Sequence, residues 1–214
     1  HERGKKGMTM KKRMSDAYLA MGGLACLCLS AVVGRGAEER RLEIDLRDAK
    51  ALEQWHVEDK RASVAGGELV LDGRNAPSRV FLKTPAFGDV TLAASYLVED
   101  SAGVKAVGFV IGSTDSATST YVHYDANGAI LCRGEADKPW QEIRRTGKKH
   151  VSGTWYAARV ERKGSRVSVF FDNKLLYETE CAGEPGLVGF YASQTVGHIK
   201  DIVVSGTPAA PITE

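Results

Sequence analysis

Two side chains that could hold a ligand or act on it alternate along one predicted strand. In the segment 120–124, a period of two places Tyr121 and His123 on one face and Val122 and Tyr124 on the other. An imidazole titrates near neutral pH and can act as a general acid or base. A tyrosine ring offers an apolar face for stacking. The same pair is also ordinary for a half-buried sheet face, because tyrosine is common in strands, so both interpretations stay open.

More polar and aromatic groups follow this strand. The segment 125–128, AspAlaAsnGly, has the composition of a hairpin turn, and Arg133 closes the partner strand. A loop then leads past two carboxylates to a tryptophan: Glu135, Asp137 and Trp140. If the Tyr121/His123 face is concave, stacking aromatics and polar groups gather on it. That composition suits a carbohydrate ligand.

Three functional hypotheses follow. In a carbohydrate-binding module, the glycan would rest against four side chains: Tyr121, His123, Arg133 and Trp140. In a glycoside hydrolase, the acid and base groups would be His123 with Glu135 or Asp137. A structural or protein-interaction domain at the cell surface would need none of them. The short chain slightly favours binding or assembly over an independent enzyme.

Other kinds of chemistry find little support in the sequence. His56 and His198 have no partners at the spacing of zinc ligands. Asp115 and Asp125 could contribute to a calcium site, but no dense acidic loop accompanies them. The sequence also contains no Gly-x-Ser-x-Gly elbow and no phosphate-binding loop. We therefore expect neither a metal nor a cofactor.

Residues 1–37 have the pattern of a secretory leader. Three basic residues at 11–13 precede a largely apolar run, 17–33, and small residues follow at 34, 36 and 37. The alternative is an uncleaved anchor, which would be the chain's one link to a membrane. Either way, we expect residues 38–206 to lie outside the cytoplasm, secreted or periplasmic.

Removing the leader changes the charge balance. The whole chain has 29 Lys and Arg against 27 Asp and Glu, a net charge of +2. Residues 1–36 hold seven of the basic and two of the acidic side chains, which leaves 22 and 25, a net charge of −3. A domain with that balance is not expected to bind nucleic acid. The two cysteines outside the leader, Cys132 and Cys181, could pair after export or remain as buried thiols.

About a dozen short alternating segments predict an all-β domain over residues 38–206. The clearest is a hairpin at 155–173, with a turn at Lys163-Gly164 and Val167, Val169 and Phe171 on one face of its second strand. No window after the leader has a convincing helical period beyond a possible short turn at 48–54. Strands without alternating helices indicate a two-sheet antiparallel sandwich or a barrel. Residues 207–214 are expected to form a loose tail.

Several segments together resemble a known fold family. They are the hairpin with ArgValGluArg at 159–162 and ArgValSerValPhePheAspAsn at 166–173, then GlyLeuValGlyPheTyrAla at 186–192 and IleLysAspIleValVal at 199–204. This pattern is similar to concanavalin A-like jelly rolls. Within them it most resembles the 3-keto-disaccharide hydrolase domain family and its family-16-glycosidase-like relatives, which are abundant in exported bacterial proteins. The resemblance covers roughly residues 40–205 and implies carbohydrate substrates, either cleaved or bound.

The resemblance also calls for a test of the glucanase motif Glu-x-Asp-x-x-Glu. The nearest match is Glu43-x-Asp45-x-x-Asp48, whose first two carboxylates would share a strand face about 6.6 Å apart. It lies on the first strand, whereas the family's catalytic strand is central, and its last position is Asp. We interpret it as the solvent face of an edge strand. Two tryptophans, Trp55 and Trp155, are expected in the core, and the basic loop 148–150 is expected to be solvated.

Overall fold

Fifteen strands and one short 3₁₀ helix make up the described part of the chain. The computed structural model describes residues 38–48, 50–99, 105–114, 118–135, 138–147 and 150–209. All of them belong to one compact unit, Arg35–Glu214, and the expected leader lies outside the described residues. The 3₁₀ helix is Ala51–Gln54. The strands are β1 Arg40–Glu43, β2 Trp55–Val57, β3 Ala62–Ala65, β4 Glu68–Asp72, β5 Ser78–Leu82, β6 Phe87–Val98, β7 Ala106–Ser113, β8 Ser119–Asp125, β9 Gly128–Gly134, β10 Gln141–Thr146, β11 Tyr156–Lys163, β12 Arg166–Phe171, β13 Lys174–Glu180, β14 Leu187–Ser193 and β15 Val196–Pro208.

The strands form two antiparallel sheets that pack as a sandwich. The eight-stranded sheet has the order β13-β12-β11-β6-β15-β4-β3, with β1 also paired to β15. The seven-stranded sheet has the order β10-β9-β8-β7-β14-β5-β2. Consecutive strands often lie far apart in these orders, so most pairings are non-local. The predicted all-β sandwich is confirmed.

Period-two alternation separates the core from the outer faces. On β8, Val122 and Tyr124 are buried between the sheets, whereas Tyr121 and His123 are half-buried on the outer face. The strand β7 is buried along its whole length, which fits its place between β8 and β14 near the middle of its sheet. The face of β8 that carries the candidate site therefore points away from the core.

The 155–173 hairpin forms as predicted. Strands β11 and β12 pair from Ala158↔Phe171 to Lys163↔Arg166, and Gly164 in the turn has φ 56°. Asp172 and Asn173 both have positive φ in the next turn, as a two-residue type I′ turn requires. The hairpin joins the centre of the eight-stranded sheet through the pairing of β11 with β6.

A buried cation on this hairpin ties the two sheets together at one end. Arg162 is 1% exposed. Its guanidinium donates to the carbonyls of Phe87 (2.8 Å), Gly88 (2.7 and 3.0 Å) and Glu184 (2.9 Å). Phe87 and Gly88 belong to β6 in one sheet, whereas Glu184 precedes β14 in the other. A buried charge requires this kind of full hydrogen bonding, and burial lowers the pKa of Arg162.

The structure settles several expectations about single residues. Trp55 is in the core, as predicted, but Trp155 is not. Trp155 is half-buried on the outer face of the eight-stranded sheet, under the ammonium group of Lys200 at 3.9 Å. His150 of the basic loop is 5% exposed rather than solvated, because it packs against aromatic rings. Of the expected loose tail, Thr207 and Pro208 belong to β15 instead, and residues 210–214 lie outside the described residues.

The two cysteines are buried free thiols. Burial raises the pKa of Cys132 to about 12 and also raises the pKa of Cys181. Of the two states that the sequence left open, the structure therefore has the unpaired one.

We expect Arg162→Met to lower the free energy of unfolding by about 3 kcal/mol, because the carbonyls of Phe87, Gly88 and Glu184 lose a buried charged donor. Chemical denaturation measured by circular dichroism tests this. Arg159→Met is the matched control, since Arg159 lies on the same strand but on the outer face, over the ring of Phe170. An equal loss of stability in both variants would contradict the role assigned to Arg162.

Candidate functional site

A cavity of about 320 Å³ opens on the outer face of the seven-stranded sheet. It lies across four adjacent strands, β5, β14, β7 and β8, and its rim reaches the residue that precedes β10. Aromatic rings and a few polar side chains dominate its lining. The residues used below are Arg79, Tyr121, His123, Trp140, Tyr191 and Gln194.

The floor of the cavity depends on a glycine in β7. Gly108 pairs with His123 of β8 on one side and with Tyr191 of β14 on the other. A Cβ atom at position 108 would lie 1.8 Å from the Tyr191 ring. Without that atom, the ring lies across the β7 backbone, and its hydroxyl reaches Nδ1 of His123 at 3.0 Å. The glycine therefore permits a hydrogen bond that spans three strands.

Asp125 holds the other side of the His123 ring. His123 Nε2 lies 3.5 Å from Asp125 Oδ2, at the outer limit of a hydrogen bond. Asp125 Oδ1 accepts the backbone amides of Asn127 (2.6 Å) and Gly128 (3.1 Å). Burial opposes ionisation of Asp125, but the nearby His123 ring and hydrogen bonds from Asn127 outweigh it, so the pKa of this carboxyl is lowered.

These contacts assign the protons of the His123 ring. A carboxylate only accepts hydrogen bonds, so the nearby charge of Asp125 favours the tautomer with its proton on Nε2. In the neutral ring Nδ1 then accepts from the Tyr191 hydroxyl. Nδ1 is bound to Tyr191, whereas Nε2 is buried and makes no hydrogen bond to a described residue, because Asp125 lies 3.5 Å away. With Nδ1 bound to Tyr191 and Nε2 buried, the ring is better suited to stacking than to proton transfer.

Two tyrosines complete the inner wall. The Tyr121 and Tyr191 rings meet edge to face, with centroids 5.3 Å apart and an interplanar angle of 88°. Burial raises the pKa of Tyr121 to about 12 and that of Tyr191 well above its ordinary value. Both phenols are therefore protonated at neutral pH, so they donate hydrogen bonds and do not act as bases.

Trp140 forms an exposed rim beside these rings. Its ring centroid is 6.4 Å from that of His123, with an interplanar angle of 49°, and 54% of the residue is exposed. A large aromatic side chain with that exposure has an uncovered apolar face. Trp140, Tyr121 and His123, which the sequence analysis grouped, do lie together here.

The structure does not bring the remaining predicted residues to the cavity. Arg133 pairs with Thr120, so it alternates to the face opposite Tyr121. There it donates to the Ala182 carbonyl at 3.0 Å and lies 3.3 Å from Glu135. Glu135 is also bound to Lys138, which lowers its pKa, and does not line the cavity. Asp137 lies outside the described residues.

Of the six lining residues named above, three were not found by sequence analysis: Arg79 of β5, Tyr191 of β14 and Gln194 in the turn after β14. Arg79 pairs directly with Tyr191 across the sheet. The alternation of GlyPheTyrAla at 189–192 could have indicated that Tyr191 faces outward. Nothing in the sequence indicated that β14 and β5 lie beside β7.

Other candidate groups are accounted for without chemistry. Glu43 and Asp45 lie exposed at the β1 edge, where they bind Arg41 (2.8 Å) and Arg47 (2.9 Å), which confirms the interpretation as a solvent face. Within the described ranges, no cluster of three His, Cys, Asp or Glu side chains is arranged to hold a metal ion. The part of the chain that the structure describes contains no helix long and apolar enough to span a membrane.

Comparison with known proteins identifies the fold. No protein-family model matches the chain, and no curated protein sequence matches it. Among solved structures, the carbohydrate binding module CBM66 from Bacillus subtilis has a TM-score of 0.61 at 15% identity, covering 70% of this chain and 93% of that one. The Crh5 transglycosylase in complex with NAG has a TM-score of 0.58 at 11% identity, covering 82% of this chain and 87% of that one.

The carbohydrate recognition domain of Emp46p, in its potassium-bound form, has a TM-score of 0.54 at 13% identity. The match covers 78% of this chain and 97% of that one. These similarities show that the chain has the concanavalin A-like jelly-roll fold. At such low identities they concern the fold alone, because one fold hosts many functions.

We expect neutral His123 to carry its proton on Nε2, and Asp125→Asn to move that proton to Nδ1. The asparagine keeps the oxygen that accepts the two amides but turns an N–H donor toward Nε2. Long-range ¹H–¹⁵N correlation spectra, recorded at a pH where the ring is neutral, distinguish the two tautomers. The signals of the other four histidines are the internal control. A wild-type ring protonated on Nδ1 would overturn the assignment.

Proposed function

We propose that this chain is an extracytoplasmic carbohydrate-binding module, whose ligand rests on the outer face of the seven-stranded sheet. One observation carries the proposal: Trp140 stands half exposed at the rim of a cavity walled by Tyr121, His123 and Tyr191. Sugars expose apolar C–H faces that stack on aromatic rings, and their hydroxyls bond to nearby polar groups. The volume of about 320 Å³ lies within the range of small-ligand pockets.

The interlocked rings support binding without distortion of the site. Tyr191 is fixed by its bond to His123, and His123 is fixed by Asp125. A wall that is already ordered loses little conformational entropy when a ligand arrives. The leader predicted from the sequence is consistent with a glycan met outside the cytoplasm. The solved structures of similar fold include a carbohydrate binding module and a carbohydrate recognition domain.

Binding is favoured over hydrolysis by the chemistry of the lining. Most glycosidases place two carboxyl groups about 5–9.5 Å apart around the scissile bond. No carboxylate is among the described residues that line this cavity. Glu135 is engaged by Arg133 and Lys138 outside it, while His123 Nδ1 is bound to Tyr191 and Nε2 is buried.

A glycoside hydrolase of the 3-keto-disaccharide type is the second candidate, supported by the transglycosylase and a putative glycosyl hydrolase from Parabacteroides distasonis of similar fold. It would use His123 with Glu135 or Asp137. Release of reducing sugar that Glu135→Gln abolishes would establish it in place of a pure binding module. A structural or protein-interaction role would be favoured if no glycan raises the melting temperature at millimolar concentration.

We expect Trp140→Ala to weaken glycan binding about tenfold, a loss of about 1.4 kcal/mol, because it removes one stacking face. Affinities would be measured by calorimetry, on the full chain, for oligosaccharides that bind it on a glycan array. The melting temperature should stay unchanged, since Trp140 is exposed.

Trp155→Ala is the matched control, because Trp155 is a half-buried tryptophan on the other sheet. It should leave the affinity unchanged. Equal losses in the two variants, or an unchanged affinity in Trp140→Ala, would contradict the placement of the ligand.

A further inference from the structure

The cavity lining carries positive charge and no negative charge among its described residues. Among the lining residues that the structure describes, Arg79 is the one side chain with a permanent charge, and none is acidic. The Arg79 side chain is 39% exposed. Its Nη1 atom lies 3.7 Å from Glu58 Oε2, a long ion pair with a side chain outside the lining. The Arg79 side chain is thus partnered, partly exposed and part of the cavity lining.

Arg79 and Trp140 lie at opposite ends of the site. The cross-strand pairs place Arg79, Tyr191, Gly108 and His123 in one row over four strands. The backbones at Arg79 and His123 are therefore three inter-strand spacings apart, about 14 Å. Trp140 directly precedes β10, which lies on the side of β8 away from β5, and its ring is 6.4 Å from that of His123. A ligand that contacts both ends must therefore be extended.

The segment that carries Arg79 is held in place by a second arginine. Arg61 donates to the carbonyls of Ala76 (2.6 Å) and Pro77 (2.9 Å) and binds Asp59 at 2.6 Å. The Arg79 carbonyl accepts the amide of Glu58 at 3.2 Å. Pro77 itself lines the cavity. Hydrogen bonds therefore hold the backbone on both sides of Arg79. A cation on a fixed backbone favours specific recognition of an anion over non-specific attraction.

The positive charge acts on the inner wall. Burial raises the pKa values of Tyr121 and Tyr191, and the charge of Arg79 opposes that rise at both rings. The side chains of Ser193 and Gln194, next to each other after Tyr191 in the chain, add polar groups to the lining. An anion placed near Arg79 would thus meet a cation and further hydrogen-bonding groups.

We propose that the cavity selects acidic glycans, binding a carboxylate or sulfate of one sugar at Arg79 while another sugar stacks on Trp140. This rests on the proposed carbohydrate-binding function and specifies its ligand class. A guanidinium offers two parallel N–H donors that match the oxygens of either anion. A neutral sugar would leave this geometry unused.

The test compares matched ligands on the full chain by calorimetry. The probes are a uronic-acid oligosaccharide, the same oligosaccharide with its carboxyl groups reduced to alcohols, and a sulfated oligosaccharide. We expect at least one acidic probe to bind about tenfold tighter than the reduced one, with the preference shrinking at high salt. The two acidic probes distinguish carboxylate from sulfate as the anion.

The Arg79→Met variant should lose that preference, so that its affinities for the acidic and reduced probes become equal, and Arg79→Lys should fall between it and the wild type. Arg47→Met, which removes an exposed cation at the β1 edge, is the control for net charge and should bind like the wild type.

Equal wild-type affinity for acidic and reduced probes would overturn this proposal and leave carbohydrate binding standing. So would a preference that survives in Arg79→Met. Failure of all probes, together with no binding on a glycan array, would instead overturn the proposed function itself. The comparison on the wild type decides the matter even if a variant does not fold.

Discussion

The close approach of the Tyr191 ring to the backbone at Gly108 is the constraint on which the outer face of this sandwich depends. A side chain at that position would occupy the space of the ring. With the space free, a line of contacts runs from Tyr191 through His123 to Asp125 and ends on the turn amides of Asn127 and Gly128. The line crosses three strands and fixes the rings that wall the cavity. The inner wall of the cavity is therefore held by contacts between strands, whereas Trp140 belongs to the segment that precedes β10.

The residues that stabilise the sandwich are different from those that line the cavity. On β8, Val122 and Tyr124 contribute to the core, so Tyr121 and His123 are left for the outer surface. The buried guanidinium of Arg162 joins the sheets at backbone carbonyls and takes no part in the cavity. Loss of ligand contacts and loss of stability should thus be separable by mutation, as expected where function lies on a rigid scaffold.

The sequence was sufficient for the fold and for half of the site. Period-two alternation and turn residues predicted the strands, and alternation alone placed Tyr121 with His123. The turn between β8 and β9 also allowed the position of Arg133 to be predicted. With a two-residue turn at Ala126-Asn127, Asp125 pairs with Gly128, so Thr120, not Tyr121, must oppose Arg133. Residues from β5 and β14 could not be predicted, because their place beside β7 is set by non-local pairing that no local pattern records.

The central claim is that a glycan binds at the outer face of the seven-stranded sheet, and the three tryptophans provide its most direct test. Trp140 is at the cavity rim, Trp55 is in the core and Trp155 is on the outer face of the other sheet. The measurement is an NMR titration of their indole N–H signals with a pool of neutral and acidic oligosaccharides. The account predicts that the Trp140 signal moves while those of Trp55 and Trp155 stay. A shift confined to Trp155, or no shift at Trp140, would contradict it.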